Sequence, residues 1–317
     1  MIWETAQPPP PGLANAALAP LRIYGGLLGQ IGDIVMYTAV ARRVKELFPD
    51  SEFTFAISKR YGGMEPLLAG LPFVDRVFQT ELYFERMKPE WYPLWELGWN
   101  FDLRGEDEVE EQRRHDLILE TRPRHKRHPW WEYAHQIDEL AYSIGVPGPV
   151  DKRTEVALPP DVPIPDEARG KVVLHNDPAI ASSKAWSWDE AAKLVETLGE
   201  NEVALIGNPG APVEGVLDLR GETTLVETAK VISECRCYIG IDSGPMWIAG
   251  SLGVPAVGLY GTEYIPAYDA IYPCNPNAVY LQAEGSVCQI TAQAVLNALY
   301  ALELRREHGT GITEGAE

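Results

Sequence analysis

The chain has 317 residues, 45% of them hydrophobic, and carries a formal net charge of −19 at pH 7. This composition is typical of a folded globular protein, so general disorder is excluded. The acidic charge argues against nonspecific binding to nucleic acids or to an anionic membrane surface. A chain of this length predicts two domains.

The first 20 residues include four consecutive prolines and many small residues, which is typical of a mobile, extended tail. The sequence does not open with a basic segment and an apolar core, and it contains no run of about 18 apolar residues. We therefore expect a soluble cytoplasmic protein without a transmembrane segment.

The N-terminal domain is predicted to start with a strand over residues 21–24, a glycine-rich turn over 25–33 (GGLLGQIGD) and a helix over 34–48. The turn does not match the dinucleotide fingerprint G-x-G-x-x-G, and the next strand, over 53–57, ends in Ser58 rather than an acid. These two features indicate that the turn is not a nicotinamide site. Its glycines instead allow another molecule to approach the backbone closely.

Asp33 stands where the first strand gives way to the helix, and two interpretations of it are open. Asp is among the best N-cap residues, so Asp33 can simply satisfy free backbone amides. A carboxylate at the carboxyl edge of a parallel sheet is also placed to accept a proton. Position alone favours the cap.

Two further segments before residue 150 each have two interpretations. Residues 83–101 are rich in aromatic side chains, including Trp91, Trp95 and Trp99, which either pack against the core or line an acceptor groove. The basic residues 122–128 follow an acidic run at 106–111, and such paired runs usually form a solvated surface. The alternative for the basic run is contact with an anionic acceptor.

A linker is predicted over residues 145–170, which contain six prolines. Strands and helices alternate on both sides of it. Shorter strands are predicted at 74–78 and 101–104, and helices at 64–69, at 130–144 and after capping sequences at 187–190 and 224–227. The fold class is therefore α/β, with two doubly wound parallel-sheet domains, 21–150 and 151–317, facing each other across a cleft.

Residues 238–261 form the most informative segment, because they predict a complete βαβ unit. A buried strand leads to a sharp turn at Asp242, Ser243 and Gly244, and a helix of small residues leads to a second buried strand. The free amides at such a helix start favour phosphate. The alternative is an ordinary crossover between parallel strands.

The four cysteines, Cys235, Cys237, Cys274 and Cys288, are too few for a disulfide framework in a protein of this size. Their spacing is not that of a common zinc site. We therefore expect buried thiols and no metal site.

Several of these motifs resemble glycosyltransferase family 9, the ADP-heptose:lipopolysaccharide heptosyltransferases and their relatives. They are residues 29–33 (GQIGD), 183–186 (SKAW), 240–244 (GIDSG), 252–261 (LGVPAVGLYG) and 287–295 (VCQITAQAV). The resemblance implies a GT-B fold with two Rossmann-like domains, the acceptor on the first and a nucleotide-diphosphate sugar on the second. It also implies an inverting transfer to a hydroxyl of a glycan or other acceptor, without a metal or further cofactor, and possible peripheral association with a membrane-bound acceptor.

The resemblance also assigns roles to residues. Asp33 becomes the general base, which raises that interpretation above the cap, and Gly29 and Gly32 belong to the acceptor-side loop. Lys184 and the amides around Ser243 and Gly244 would neutralise the departing diphosphate in place of a metal. Asp242 would fix the turn or hold a sugar hydroxyl, and Asn176 and Ser183 would add donors from the same loop as Lys184.

One residue departs from the family pattern: Trp247 stands where the family usually has histidine. A tryptophan there either stacks on a sugar or base or fills space, so the donor is not restricted to ADP-heptose. Two other functions stay open. One is a catalytically silent GT-B protein that binds or assembles partners in a glycan pathway. The other is a nucleotide-sugar epimerase, which would need a second acid–base residue beside Asp33.

Overall fold

The protein was analysed as a computed structural model, which describes residues 20–27, 29–80, 106–121, 135–146, 149–177, 184–263 and 271–307. The chain divides into two compact units, Met1–Pro159 and Pro160–Glu317. The division falls inside the proline-rich segment 145–170, somewhat later than residue 150. The proline-rich start of the chain, the aromatic stretch 83–101, the strand at 101–104 and the basic run 122–128 lie outside the described residues.

The first unit contains a four-stranded parallel sheet with the strand order β3-β2-β1-β4. Its strands are β1 (Arg22–Leu27), β2 (Glu52–Ser58), β3 (Arg76–Thr80) and β4 (Leu117–Thr121). Its helices are α1 (Ile31–Leu47), α2 (Glu65–Ala69), α3 (Glu106–Gln112) and α4 (Gln136–Ser143), and a 3₁₀ helix covers Lys59–Met64. The order reverses between β1 and β4, and open parallel sheets bind ligands at the carboxyl ends of strands at such a point.

Strand β1 is longer than the sequence predicts, because Gly25 and Gly26 belong to the strand and not to the turn. A Cβ atom at Gly25 would lie 2.7 Å from Cζ of Phe53 and 2.9 Å from the hydroxyl of Tyr37. The glycine therefore makes room for two large side chains. The Tyr37 hydroxyl donates to the carbonyl of Leu119, which links α1 to β4.

The acidic run at 106–111 is not a uniformly solvated surface, so that prediction is wrong for part of the run. The whole run lies in α3, and Glu111 at the end of the run is buried. Its carboxylate forms an ion pair with Arg76 of β3 and a longer one, at 3.5 Å, with Arg114. A buried carboxylate needs such partners.

The second unit contains a six-stranded parallel sheet with the order β10-β9-β8-β5-β6-β7. Its strands are β5 (Val172–His175), β6 (Val203–Ile206), β7 (Leu217–Asp218), β8 (Cys237–Ile241), β9 (Ala256–Gly261) and β10 (Ala278–Ala283). Its helices are α5 (Trp188–Leu198), α6 (Leu225–Ser233), α7 (Gly244–Ser251) and α8 (Ala292–Glu307), and 3₁₀ helices cover Asp166–Ala168 and Val287–Gln289. The order reverses between β5 and β8, as in a Rossmann sheet.

The main hydrophobic core of this unit lies between one face of the sheet and helices α5 and α8, and it includes Trp186, Leu194 and Leu299. Two fully buried tyrosines, Tyr238 and Tyr260, lie outside this cluster. A Cβ atom at Gly240 would lie 2.5 Å from the hydroxyl of Tyr238, so this glycine leaves room for the tyrosine ring.

Strand β5 ends in His175, whose side chain is buried within the second unit. Burial lowers the pKa of His175 to about 4, and the nearby Asp177 opposes that shift only in part. The ring is therefore neutral in the folded protein at pH 7, whereas an unfolded chain would protonate it near pH 6.5.

The depressed pKa of His175 predicts that the second unit loses stability in acid. Above pH 6.5 the ring is neutral in both states, and as the pH falls toward 4 only the unfolded chain takes up the proton. Between pH 7.5 and pH 5 this linkage should reduce the free energy of unfolding by about 2 kcal/mol. Urea unfolding at both pH values, compared between the parent protein and His175→Asn, measures it. An equal pH dependence in both proteins would contradict the prediction.

Candidate active site

Asp33 lies in the first turn of α1, just beyond the carboxyl end of β1. The helix begins at Ile31 with Gln30 as its N-cap residue, so the helix start predicted at residue 34 is wrong. Oδ2 of Asp33 accepts the backbone N–H of Gln30 at 2.8 Å. Asp33 is therefore not the N-cap residue itself. It acts as the acidic member of a capping box and stabilises the helix start from inside the first turn.

Gly29 explains how the Asp33 carboxylate can lie against the chain. A Cβ atom at Gly29 would be 2.6 Å from Cβ of Asp33, so any larger residue would displace the aspartate side chain. Gly32 is the second residue of α1, so the prediction that it belongs to the preceding loop is wrong. The first turn of a helix also favours a negative charge, because the helix dipole is positive there.

In the second unit, two predicted residues come together at the reversal point between β5 and β8. Nζ of Lys184, in the loop after β5, forms an ion pair with Oδ2 of Asp242, in the turn after β8. Their side chains are only 15% and 13% exposed. A cation and a carboxylate are thus held, mostly shielded from water, at the carboxyl edge of the sheet.

Asn176 was predicted to donate a hydrogen bond to the ligand, but its side chain binds the backbone of Trp186 instead. Its side-chain oxygen accepts the backbone N–H of Trp186 at 2.7 Å, and its Nδ2 donates to the carbonyl of Trp186 at 3.0 Å. The Trp186 ring nitrogen donates in turn to the carbonyl of Ile290 at 2.6 Å. The buried amide of Asn176 therefore fixes the end of the loop that carries Lys184. Ser183 lies outside the described residues.

Helix α7 begins at Gly244 with Ser243 as its N-cap residue, but the serine side chain does not cap the helix. The Ser243 hydroxyl lies instead 3.0 Å from the carbonyl of Ile241 and 3.2 Å from Nδ1 of His175. The serine thus leaves the amides of the first turn uncapped. Such amides, together with the helix dipole, form a binding site for phosphate.

His175 was missed by the sequence analysis. It pairs in register with Gly240 of β8, so it stands at the point where the strand order reverses. The available signal in the sequence was a polar residue at the end of an otherwise apolar strand, directly before Asn176.

Trp247 is 2% exposed, which supports the interpretation that it fills space and contradicts the interpretation that it stacks on a sugar or base. The ring belongs to the inner side of α7 and fills space in the fold. The expectation of buried thiols holds fully only for Cys237, because Cys235 and Cys274 are half-buried and Cys288 is exposed. Sγ of Cys288 lies 3.3 Å from the carbonyl of Ala185.

In the described part of the chain, no cluster of three or more His, Cys, Asp or Glu side chains is arranged to hold a metal ion. Within the same residues, no helix has both the length and the apolar character needed to cross a membrane.

Residues 141–293 match the family model of glycosyltransferase family 9 (heptosyltransferase). A comparison with curated protein sequences finds no significant match. The matched residues include both loops that carry Lys184 and Asp242.

Solved structures with the same fold are available for comparison. The ADP-heptose lipopolysaccharide heptosyltransferase II of E. coli is 18% identical, with a TM-score of 0.65 over 90% of this chain and 100% of that chain. A family 9 glycosyltransferase from Veillonella parvula is 15% identical, with a TM-score of 0.64 over 90% and 97%. An E. coli heptosyltransferase solved with ADP is 14% identical, with a TM-score of 0.57 over 88% and 99%.

The family match and the shared architecture agree with the two Rossmann-like sheets described above. The predicted fold class is confirmed as α/β of the GT-B type. Residues 141–293 therefore form a family 9, heptosyltransferase-like domain, and the chain as a whole has the GT-B fold.

Proposed function

We propose that the protein transfers a heptose or another hexose-like sugar from a nucleotide-diphosphate donor to a hydroxyl group of a glycan or other acceptor. The transfer inverts the anomeric carbon and uses neither a metal ion nor a further cofactor. The observation that carries the proposal is the Lys184–Asp242 ion pair beside the start of α7, which the side chain of Ser243 does not cap. An ADP-linked donor is the first candidate, because similar structures were solved with ADP and with an ADP-heptose analogue.

The leaving nucleotide diphosphate needs positive potential, and two sources of it converge at the end of β8. One is the ammonium group of Lys184, and the other is the amino-terminal end of α7. The start of α7 is in place before the donor arrives and can stabilise developing charge without rearrangement, whereas Lys184 must first leave Asp242. A divalent cation supplies this positive potential in other phosphate-transfer sites.

Donor binding requires Lys184 to change its partner. In the structure, its ammonium group is paired with Asp242, so a diphosphate competes with that carboxylate. A carboxylate that is only 13% exposed is costly to leave unpaired. Hydroxyl groups of the donor sugar can then donate to Asp242, which makes the complete nucleotide sugar a better ligand than the nucleotide alone.

Asp33 is the proposed general base. Its hydrogen bond to the N–H of Gln30 holds the carboxylate at a fixed position in the first turn of α1. The acceptor hydroxyl gives its proton to this carboxylate as its oxygen attacks the anomeric carbon. Attack from the side opposite the leaving diphosphate inverts that carbon.

The first test is calorimetric titration of the protein with ADP, UDP, GDP and dTDP, without metal and then with magnesium. We expect one nucleotide to bind selectively, with no need for magnesium, and Lys184→Ala to weaken it at least about 10-fold. Lys193→Ala, which removes an exposed lysine of α5, is the matched control and should change nothing. If no nucleotide binds at millimolar concentration, the donor site is wrong. If one binds but no acceptor is ever glycosylated, the protein is a silent member of this fold.

Asp242→Asn should raise the affinity for the nucleoside diphosphate relative to the affinity for the nucleotide sugar. The substitution removes the carboxylate that competes for Lys184, so the nucleoside diphosphate should bind roughly 3- to 10-fold more tightly. The nucleotide sugar should lose affinity relative to it, because the sugar no longer meets a charged acceptor. Calorimetry with both ligands measures this. Equal weakening of both ligands would show that Asp242 only maintains the turn.

Asp33→Asn should separate the two roles of Asp33. The amide oxygen of Asn can still accept the N–H of Gln30, so folding and nucleotide affinity should stay unchanged. Transfer should fall about 10²- to 10⁴-fold, because an amide does not accept the proton. Asp50→Asn, at an exposed position near the other end of α1, is the control. Normal turnover by Asp33→Asn would end its assignment as the base.

A further inference from the structure

We propose that His175 is a positioning residue that draws the Ser243 hydroxyl away from the start of α7, and thereby keeps the helix amides available to the donor diphosphate. The inference rests on the proposed function, since it concerns the same diphosphate site. In this proposal His175 does not touch the ligand, but it determines which groups the Ser243 hydroxyl binds.

The position of His175 is well defined by its surroundings. The ring is 4% exposed, ends strand β5 and lies in register with Gly240 of β8. Gly207, after β6, leaves space for it, because a Cβ atom there would lie 3.2 Å from Cδ2 of His175. Gly207 also has a φ of 125°, which disfavours any other residue. The ring is therefore held by its neighbours on β6 and β8.

The Ser243 hydroxyl also interacts with the hydroxyl of Tyr238, and its contacts with Ile241 and His175 determine the tautomer of the ring. A serine hydroxyl has a single proton to donate. Its distances to the carbonyl of Ile241 and to Nδ1 of His175 are 3.0 Å and 3.2 Å. Both contacts can be hydrogen bonds at the same time only if Nδ1–H of His175 donates to the Ser243 oxygen and the Ser243 hydroxyl donates to the carbonyl of Ile241. The geometry thus assigns the proton of the neutral ring to Nδ1.

This arrangement matters because a serine at an N-cap position ordinarily accepts an amide of the first turn. The second residue of α7 is Pro245, which has no N–H, so the amides that the first turn can offer are those of Gly244 and Met246. A capping serine would take the amide of Met246. With its oxygen bound to His175 and its proton given to Ile241, Ser243 does not compete with a phosphate for that amide.

The test compares two variants of His175 that differ in the position of the side-chain N–H group that can donate to Ser243. The side-chain N–H of Asn can replace Nδ1–H, whereas the amide of Gln lies one bond further out. The probe is whichever of ADP, UDP, GDP and dTDP the parent protein binds, with the matching nucleoside as the control ligand. We expect His175→Gln to weaken the diphosphate about 10-fold and to leave the nucleoside unaffected, and His175→Asn to stay within about 3-fold of the parent.

A double variant distinguishes this role from simple support of the fold. Adding Ser243→Ala to His175→Gln removes the hydroxyl that would otherwise cap the helix, so most of the lost affinity should return. A purely structural role predicts no such recovery. The proposal is overturned if His175→Gln binds the diphosphate like the parent, or if the double variant is as weak as His175→Gln.

Nitrogen NMR of the parent protein tests the proposal even if His175→Gln does not fold. The expected spectrum shows a neutral His175 ring protonated on Nδ1, and protonation on Nε2 alone would overturn the inference. If the parent binds no nucleoside diphosphate, both the proposed function and this inference fail. If it binds one and the His175 variants match it, only this inference fails.

Discussion

The ion pair between Lys184 and Asp242 is the interaction on which the donor side of this protein depends. It joins the loop after β5 to the turn after β8, at the point where the strand order reverses. Neither charge is well exposed to water, so neither can lose its partner without a replacement. A ligand that takes Lys184 must therefore also satisfy Asp242. A diphosphate attached to a sugar supplies both replacements, which links the electrostatics of the resting protein to the kind of substrate it can accept.

The side chains around the candidate site are positioned largely through bonds to the backbone. Asp33 accepts the N–H of Gln30, Asn176 exchanges two hydrogen bonds with Trp186, and Ser243 contacts the carbonyl of Ile241. Such bonds restrict the rotamers of polar groups before any ligand is present. Preorganised groups stabilise developing charge more effectively than mobile ones, because the reaction does not have to reorient them. Each sheet thus contributes one edge at which polar groups are fixed.

Sequence reasoning predicted the parallel sheets and several helix starts, and it failed where tertiary packing decided the outcome. The capping box of Thr224 and Glu227 is present as predicted, because it depends only on residues three apart. Strand β4 was missed, since its few apolar residues lie between two charged runs. The start of α1 was predicted too late, because Gln30 is an unusual N-cap residue, whereas the aspartate at position 33 is a common one. For Trp247 the sequence left stacking on a ligand and filling space both open, because burial is not visible in a motif.

The amino-acid sequence by itself determined the α/β class and the two-unit organisation, because alternating strands, helices and glycine turns are local patterns. Only the tertiary structure decided which side chains meet. Lys184 and Asp242 are 58 residues apart, and His175 and Ser243 are 68 apart. Each pair forms because β5 and β8 are neighbours in the sheet, although β6 and β7 lie between them in the chain. Strand order follows from how the whole unit buries its apolar faces, and no local pattern contains that information.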